Sequence, residues 1–357
     1  MENAPVLELQ NITKRYRGIP AVENVSFQLM AGDIAGYLGP NGSGKSTTLQ
    51  ALTGLLPLDG GRVVLDGAVL EDPARRVRIA PEKRPIALMF QDYLLFPHLS
   101  ALENVAFGLR CKGTGKKTAH EKAARALATL GVDAVAESRP ESMSGGQQQR
   151  VAMARALVTD PKLLLLDEPL AALDASTKTG IRRLLRDALH QSRAANVLVT
   201  HDLLDAVALG DRMIIIENGQ VVQTGTPAEV TARPRSDYVA DLVGVNLLRG
   251  TAHGTHLELD GGGQLICQGP ASGRALAVIA PARVSVHRKR PDTEGGNIWQ
   301  GKISAVDLMG DRVRVHVEGT PPVTAEVMPA VVDELSLDDG GELWASVSPG
   351  AITVYPP

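Results

Sequence analysis

Residues Gly39-Pro40-Asn41-Gly42-Ser43-Gly44-Lys45-Ser46 fit the pattern G-x-x-x-x-G-K-[ST], which commits the chain to a strand, a glycine loop and a helix in that order. Glycines are needed there because consecutive backbone N–H groups must turn inward on a phosphate, and the following helix must offer its partly positive N-terminus. The context agrees. Gly32 to Leu38 reads as a short buried strand and Thr47-Thr48-Leu49-Gln50-Ala51-Leu52 as the helix. Lys45 then reaches the β- and γ-phosphates and Ser46 offers a hydroxyl to Mg²⁺, with Thr47 beside it. A second glycine cluster, Ser144-Gly145-Gly146-Gln147, stands far downstream, so two phosphate-recognition elements in one chain predict a sandwiched nucleotide.

Leu163-Leu164-Leu165-Leu166-Asp167-Glu168 is an apolar strand ending in two carboxylates, at the edge where a parallel sheet presents ligands. Asp167 is placed to hold Mg²⁺ through water, and Glu168 to polarise the water that attacks the γ-phosphate. The next apolar strand ends in Val199-Thr200-His201-Asp202, where His201 can donate to the γ-phosphate or hold the attacking water. Gln91 follows Ala87-Leu88-Met89-Phe90, and its neutral amide can touch Mg²⁺ or water.

At 357 residues the chain is long enough for two or three domains, and 44% apolar residues supply real cores. A net charge of −3 leaves no basic footprint, which argues against a nucleic-acid partner. Cys111 and Cys267 lie in neither metal-ligand nor redox spacing, which fits a reducing cytoplasm. No signal peptide is visible at Met1 to Pro5, and no apolar run approaches the roughly 20 residues of a membrane-spanning helix.

Near-continuous apolar strands alternating with helical stretches predict a doubly wound α/β core. An antiparallel β-lobe is expected from Val6 to Gln10, Val25 to Leu29 and Gly61 to Gly67, and a helical insert from about 95 to 160. Past Arg233-Pro234 the composition shifts to short alternating segments with glycine turns, which predicts a small all-β, OB-like domain. The expected domains are 1–240 and 241–357.

From about Val6 to Val245 the chain resembles the ATP-binding subunits of ABC transporters. The resemblance implies the P-loop NTPase fold in its ABC form, with ATP and Mg²⁺ as cofactors. Tyr16 is then the aromatic that stacks on adenine; the bland reading of Tyr16 is a cover for the β-lobe. Met143-Ser144-Gly145-Gly146-Gln147 is the signature that closes on ATP held by a second copy, with methionine where leucine is usual. Asp174 lies in the loop facing that copy. The implied partners are a head-to-tail copy of the chain and membrane permease subunits gripped near residues 91–105. A periplasmic or lipid-anchored binding protein is implied indirectly. Tyr93-Leu94-Leu95-Phe96-Pro97-His98-Leu99 is the gripping segment if exposed and ordinary core if buried. The implied location is peripheral, on the cytoplasmic face of the cell membrane.

The tail resembles the accessory domain of importer ATPases, and Asp202-Leu203-Leu204-Asp205, Gly244-Val245-Asn246-Leu247, Asn297 with Gly301, and Trp344-Ala345-Ser346-Val347 look most like molybdate importers. Sulfate, iron, polyamine and sugar importers have related tails. Where the molybdate family commonly has Ser-x-Arg-Asn this chain reads Glu294-Gly295-Gly296-Asn297, so weak or absent oxyanion binding by the tail is expected. The remote alternative is a soluble ATP switch acting on nucleic acid or ribosomes, which a single head and a short helical insert disfavour.

Overall fold

Alternating apolar and polar residues make β1 (Leu7–Tyr16) and β2 (Ile19–Leu29) a hairpin whose inward side chains, Leu7, Leu9, Ile12, Val25, Phe27 and Leu29, are buried. The computed structural model describes residues 4–171, 175–292 and 296–357. After the hairpin come β3 (Ile34–Leu38), α1 (Lys45–Thr53), β4 (Gly60–Leu65), β5 (Ala68–Asp72), β6 (Val77–Arg78) and β7 (Ile86–Met89). Three helices follow: α2 (Ala101–Cys111), α3 (Lys116–Thr129) and α4 (Gly145–Leu157). The first unit then runs through β8 (Leu163–Asp167), α5 (Ala175–Gln191), β9 (Ala195–Val199), α6 (Leu203–Leu209), β10 (Arg212–Glu217) and β11 (Gln220–Gly225).

Two sheets result. The antiparallel sheet has the order β2-β1-β4-β5-β6. The other has the order β11-β10-β3-β9-β8-β7 and is parallel apart from β11. Alternate residues of β8 serve opposite faces of this sheet, as a strand buried on both sides requires. Leu163 and Leu165 join a core with α1 and the antiparallel sheet, whereas Leu164 and Leu166 join a core with the helices. Ser100 and Glu103 close a capping box at the start of α2, which is why the helical insert begins there.

The chain divides into two compact units, 1–228 and 229–357. The division falls before the boundary expected from composition. Arg249 pairs with Asp237 at 2.6 Å, and the Tyr355 hydroxyl donates to the carbonyl of Pro234 at 2.6 Å, so the helical segment ahead of the β-rich tail is stitched into it. Helix α7 (Pro227–Ala232) spans the division, and α8 (Asp237–Val243) then precedes β12 (Asn246–Leu259), β13 (Gln264–Ile279) and β14 (Ser285–His287). Then come β15 (Asn297–Met309), β16 (Arg312–Gly319), β17 (Val323–Val327), α9 (Pro329–Leu335), β18 (Glu342–Val347) and β19 (Ile352–Tyr355). They form sheets of order β12-β13-β19 and β14-β18-β15-β16-β17 around one apolar core, so the tail is β-rich as expected but carries helices beside its strands. Glu294 lies outside the described residues. Asn297 is buried, and its amide is spent on Ile266 N at 2.6 Å and on the carbonyls of Ile266 and Val347.

Candidate active site

The carboxyl end of the parallel sheet opens into a cavity of about 440 Å³ lined by Asn41, Gly42, Gly44, Lys45, Ser46, Thr47, Gln91, Asp167, Glu168 and His201, with Ala21 and Val199. Strand β3 delivers the glycine loop, β7 leads to Gln91, β8 ends at Asp167 and β9 leads to His201. Ordering β3, β9, β8 and β7 side by side is what gathers four distant sequence segments.

The loop glycines have specific physical reasons. A Cβ on Gly39 would lie 2.1 Å from the Ile216 carbonyl oxygen, and one on Gly44 2.4 Å from that of Ala21. Gly42 and Gly44 also have φ of 79° and 100°, where side chains are strained. Lys45 Nζ donates to the carbonyls of Gly39 and Pro40 at 2.7 and 2.9 Å, which folds the loop around it. Burial pulls the Lys45 ammonium below its usual pKa, against the opposing charges of Glu168 and Asp167. Burial and the neighbouring Glu168 push the Asp167 carboxyl above the usual range, against the opposing pull of Lys45.

Glu168 has φ 51° and projects its carboxylate onto His201, with Oε2 2.7 Å from Nδ1. Its backbone N–H donates to the Val199 carbonyl at 3.0 Å, tying the β8 and β9 ends together. The Glu168 side chain is 14% exposed and that of His201 70%, so the histidine is the solvent-facing member.

Cavity-lining residues supply a hydroxyl (Ser46), an amide (Gln91) and a carboxylate (Asp167), hard oxygen donors that fit Mg²⁺ together with nucleotide phosphates. Among the described residues no three His, Cys, Asp or Glu side chains cluster as an all-protein metal cage.

Three groups of expected site residues lie elsewhere. Gly39, Pro40 and Ser43 build the loop from behind rather than lining the cavity. Tyr16 sits at the β1–β2 turn, 47% exposed, with Lys14 Nζ 5.9 Å from its ring centre. The cluster Ser144 to Gln147 forms the head of α4. There Ser144 Oγ accepts from Gln147 N at 3.3 Å and Gln147 Oε1 accepts from Ser144 N at 2.8 Å, with Met143 buried behind them. Asp174 lies outside the described residues. The segment after Gln91 is mixed, with Leu94 exposed while Tyr93 and Leu95 pack against the helical core. Ala21 and Val199 were not anticipated. Ala21 reaches the loop through the placement of β2, for which no local sequence signal exists.

The ABC transporter family model matches residues 22–171 and the TOBE domain model residues 293–354. The molybdenum import ATP-binding protein ModC of Mycobacterium tuberculosis is 38% identical over 93% of this chain and 94% of its own length. The Fe(3+) ions import ATP-binding protein FbpC of Rhizobium etli is 40% identical over 66% of this chain and 65% of its own. Among solved structures, the ATP-binding cassette MJ0796 in a dimeric post-hydrolysis state, bound to ADP and Pi, superposes with a TM-score of 0.55. It is 33% identical and covers 62% of this chain and 98% of that one. Among the described residues no helix is long and apolar enough to cross a membrane. The chain belongs to the ABC transporter family, as an ATP-hydrolysing, import-type ATP-binding subunit that carries a TOBE domain.

Proposed function

We propose that this ATPase energises uptake of an oxyanion, molybdate, through separate membrane permease subunits, from a peripheral position on the cytoplasmic face of the membrane. The observation that carries the substrate is full-length similarity to a molybdenum import protein, TOBE domain included. Iron-import relatives match over 66% and 87% of the chain, against 93% for the molybdenum import protein.

At the site, Lys45, the loop amides and Thr47 bind the phosphates, and Tyr16 takes the adenine. Ser46, Gln91 and Asp167 hold Mg²⁺, which neutralises phosphate charge when bound. Glu168 takes the proton of the attacking water, and His201, bonded to it through Nδ1, leaves Nε2 to hold that water by accepting from it. The 2.7 Å Glu168–His201 contact beside Lys45 supports these roles. Ser144 to Gln147 line no part of the cavity in one protomer, which supports their meeting ATP held by a second copy head to tail. Exposed Leu94 supports permease contact around residues 91–105.

The test is uptake of labelled molybdate, sulfate and iron by cells lacking the chain, restored by the parent or by Glu168→Gln. Loss of molybdate uptake alone, restored only by the parent, is the expected result. Unchanged molybdate uptake with another substrate lost would reassign the cargo.

A further inference from the structure

His201 is weakly held for a residue that must act at one atom. Its side chain is 70% exposed, and Glu168 is the one side chain among the described residues that hydrogen-bonds to it. The residue after it is held from several directions. Asp202 N donates to Thr200 Oγ1 at 3.0 Å, Asp202 Oδ1 caps α6 by accepting from Leu204 N at 2.8 Å and Asp205 N at 3.4 Å, and Oδ2 accepts from Lys178 Nζ at 2.5 Å. Lys178 also meets Asp205 at 3.0 Å, and Arg182, one turn further along α5, donates to Asp205 Oδ1 at 2.5 and 2.9 Å. Two cations of α5 thus clasp two acids around the start of α6, and the Asp205 side chain is only 4% exposed.

We propose that Lys178 is a positioning residue for His201: by clasping Asp202 and Asp205 it fixes the turn on which the histidine stands. The inference rests on the reading of His201 given above. Physically, a side chain with one bonded partner takes its aim from its backbone. That backbone is set by Asp202, one carboxylate oxygen of which is committed to α6 and the other to α5. Without Lys178, Asp202 still caps α6, so the helix survives while the turn loses its tie to α5. Arg182 keeps Asp205 paired, so no buried charge is orphaned. The expected loss is therefore in turnover rather than in folding or nucleotide affinity.

The test is phosphate release by the full-length chain, with thermal melting to verify folding. Lys178→Met is expected to lower kcat about tenfold while leaving the KM for ATP within about twofold. Lys178→Arg is expected to restore most of the rate, and Asp202→Ser, which keeps a cap for α6, to reproduce the loss. In a His201→Ala chain, Lys178→Met is expected to cause no further fall, because residues acting as one unit are not additive. Parental kcat in Lys178→Met overturns the inference. So does a full further loss in an already impaired His201→Ala chain, and that outcome leaves the reading of His201 standing. A His201→Ala chain that hydrolyses at the parental rate overturns the reading of His201, and this inference with it.

Discussion

The guanidinium of Arg84 and the carboxylate of Glu71 meet at 2.5 Å with side chains 0% and 2% exposed. Further hydrogen bonds hold both members of the pair. Arg84 donates to the carbonyls of Ala51 and Leu52 in the last turn of α1 and to Ile79, and Glu71 Oε1 accepts from Leu58 N at 2.8 Å. A buried cation thus closes the end of the helix whose other end is the phosphate loop. Arg84→Met alone should cost about 3–5 kcal/mol by stranding Glu71, whereas Arg84→Met with Glu71→Leu should cost much less, read from guanidinium unfolding midpoints.

Glu168→Gln preserves size and can still bond His201 but cannot accept the water proton. ATP hydrolysis should fall by about 10²–10⁴-fold with ATP binding retained, measured by phosphate release beside nucleotide-fluorescence titration. Size-exclusion chromatography with ATP should show this variant shifted to twice the parental mass, because nucleotide persists between two copies.

Gly44→Ala forces a Cβ to 2.4 Å from the Ala21 carbonyl at φ 100°. The loop must move, and ATP affinity should fall by more than about tenfold. Gly42→Ala, at φ 79° with open space around it, should be milder in the same titration.

Burial raises the pKa of the Cys267 thiol, whereas Cys111 is exposed. A raised pKa leaves less thiolate at any given pH, so a thiol reagent near pH 7 should modify Cys111 alone. Reaction of Cys267 should rise with pH only above the ordinary thiol range, or after unfolding. Counting labelled thiols by mass spectrometry checks both.

Local chemistry made part of this molecule legible. The phosphate loop and the acidic end of β8 each carry their instructions within a few neighbours, so their placement followed from backbone needs. Ala21 was not legible, because its approach to Gly44 depends on how the β1–β2 hairpin lies against the loop. The Arg84–Glu71 pair and the Lys178–Asp202 clasp were equally hidden. Each joins elements 13 or 24 residues apart whose charges look like ordinary surface residues until packing brings them together. The segment 229–240 falls with the second compact unit because its ties, Tyr355 to Pro234 and Arg249 to Asp237, come from strands further along the chain.

Glu168 stands at φ 51°, a conformation that costs a side-chain-bearing residue roughly 1–2 kcal/mol and glycine nearly nothing. Glycine or asparagine at 168 should therefore raise thermal stability, and on the role proposed for Glu168 the more durable chain would be an inert one. Any programme that hardens this protein by following stability scores should hold position 168 fixed, since it is where the gains and the work of the molecule point in opposite directions.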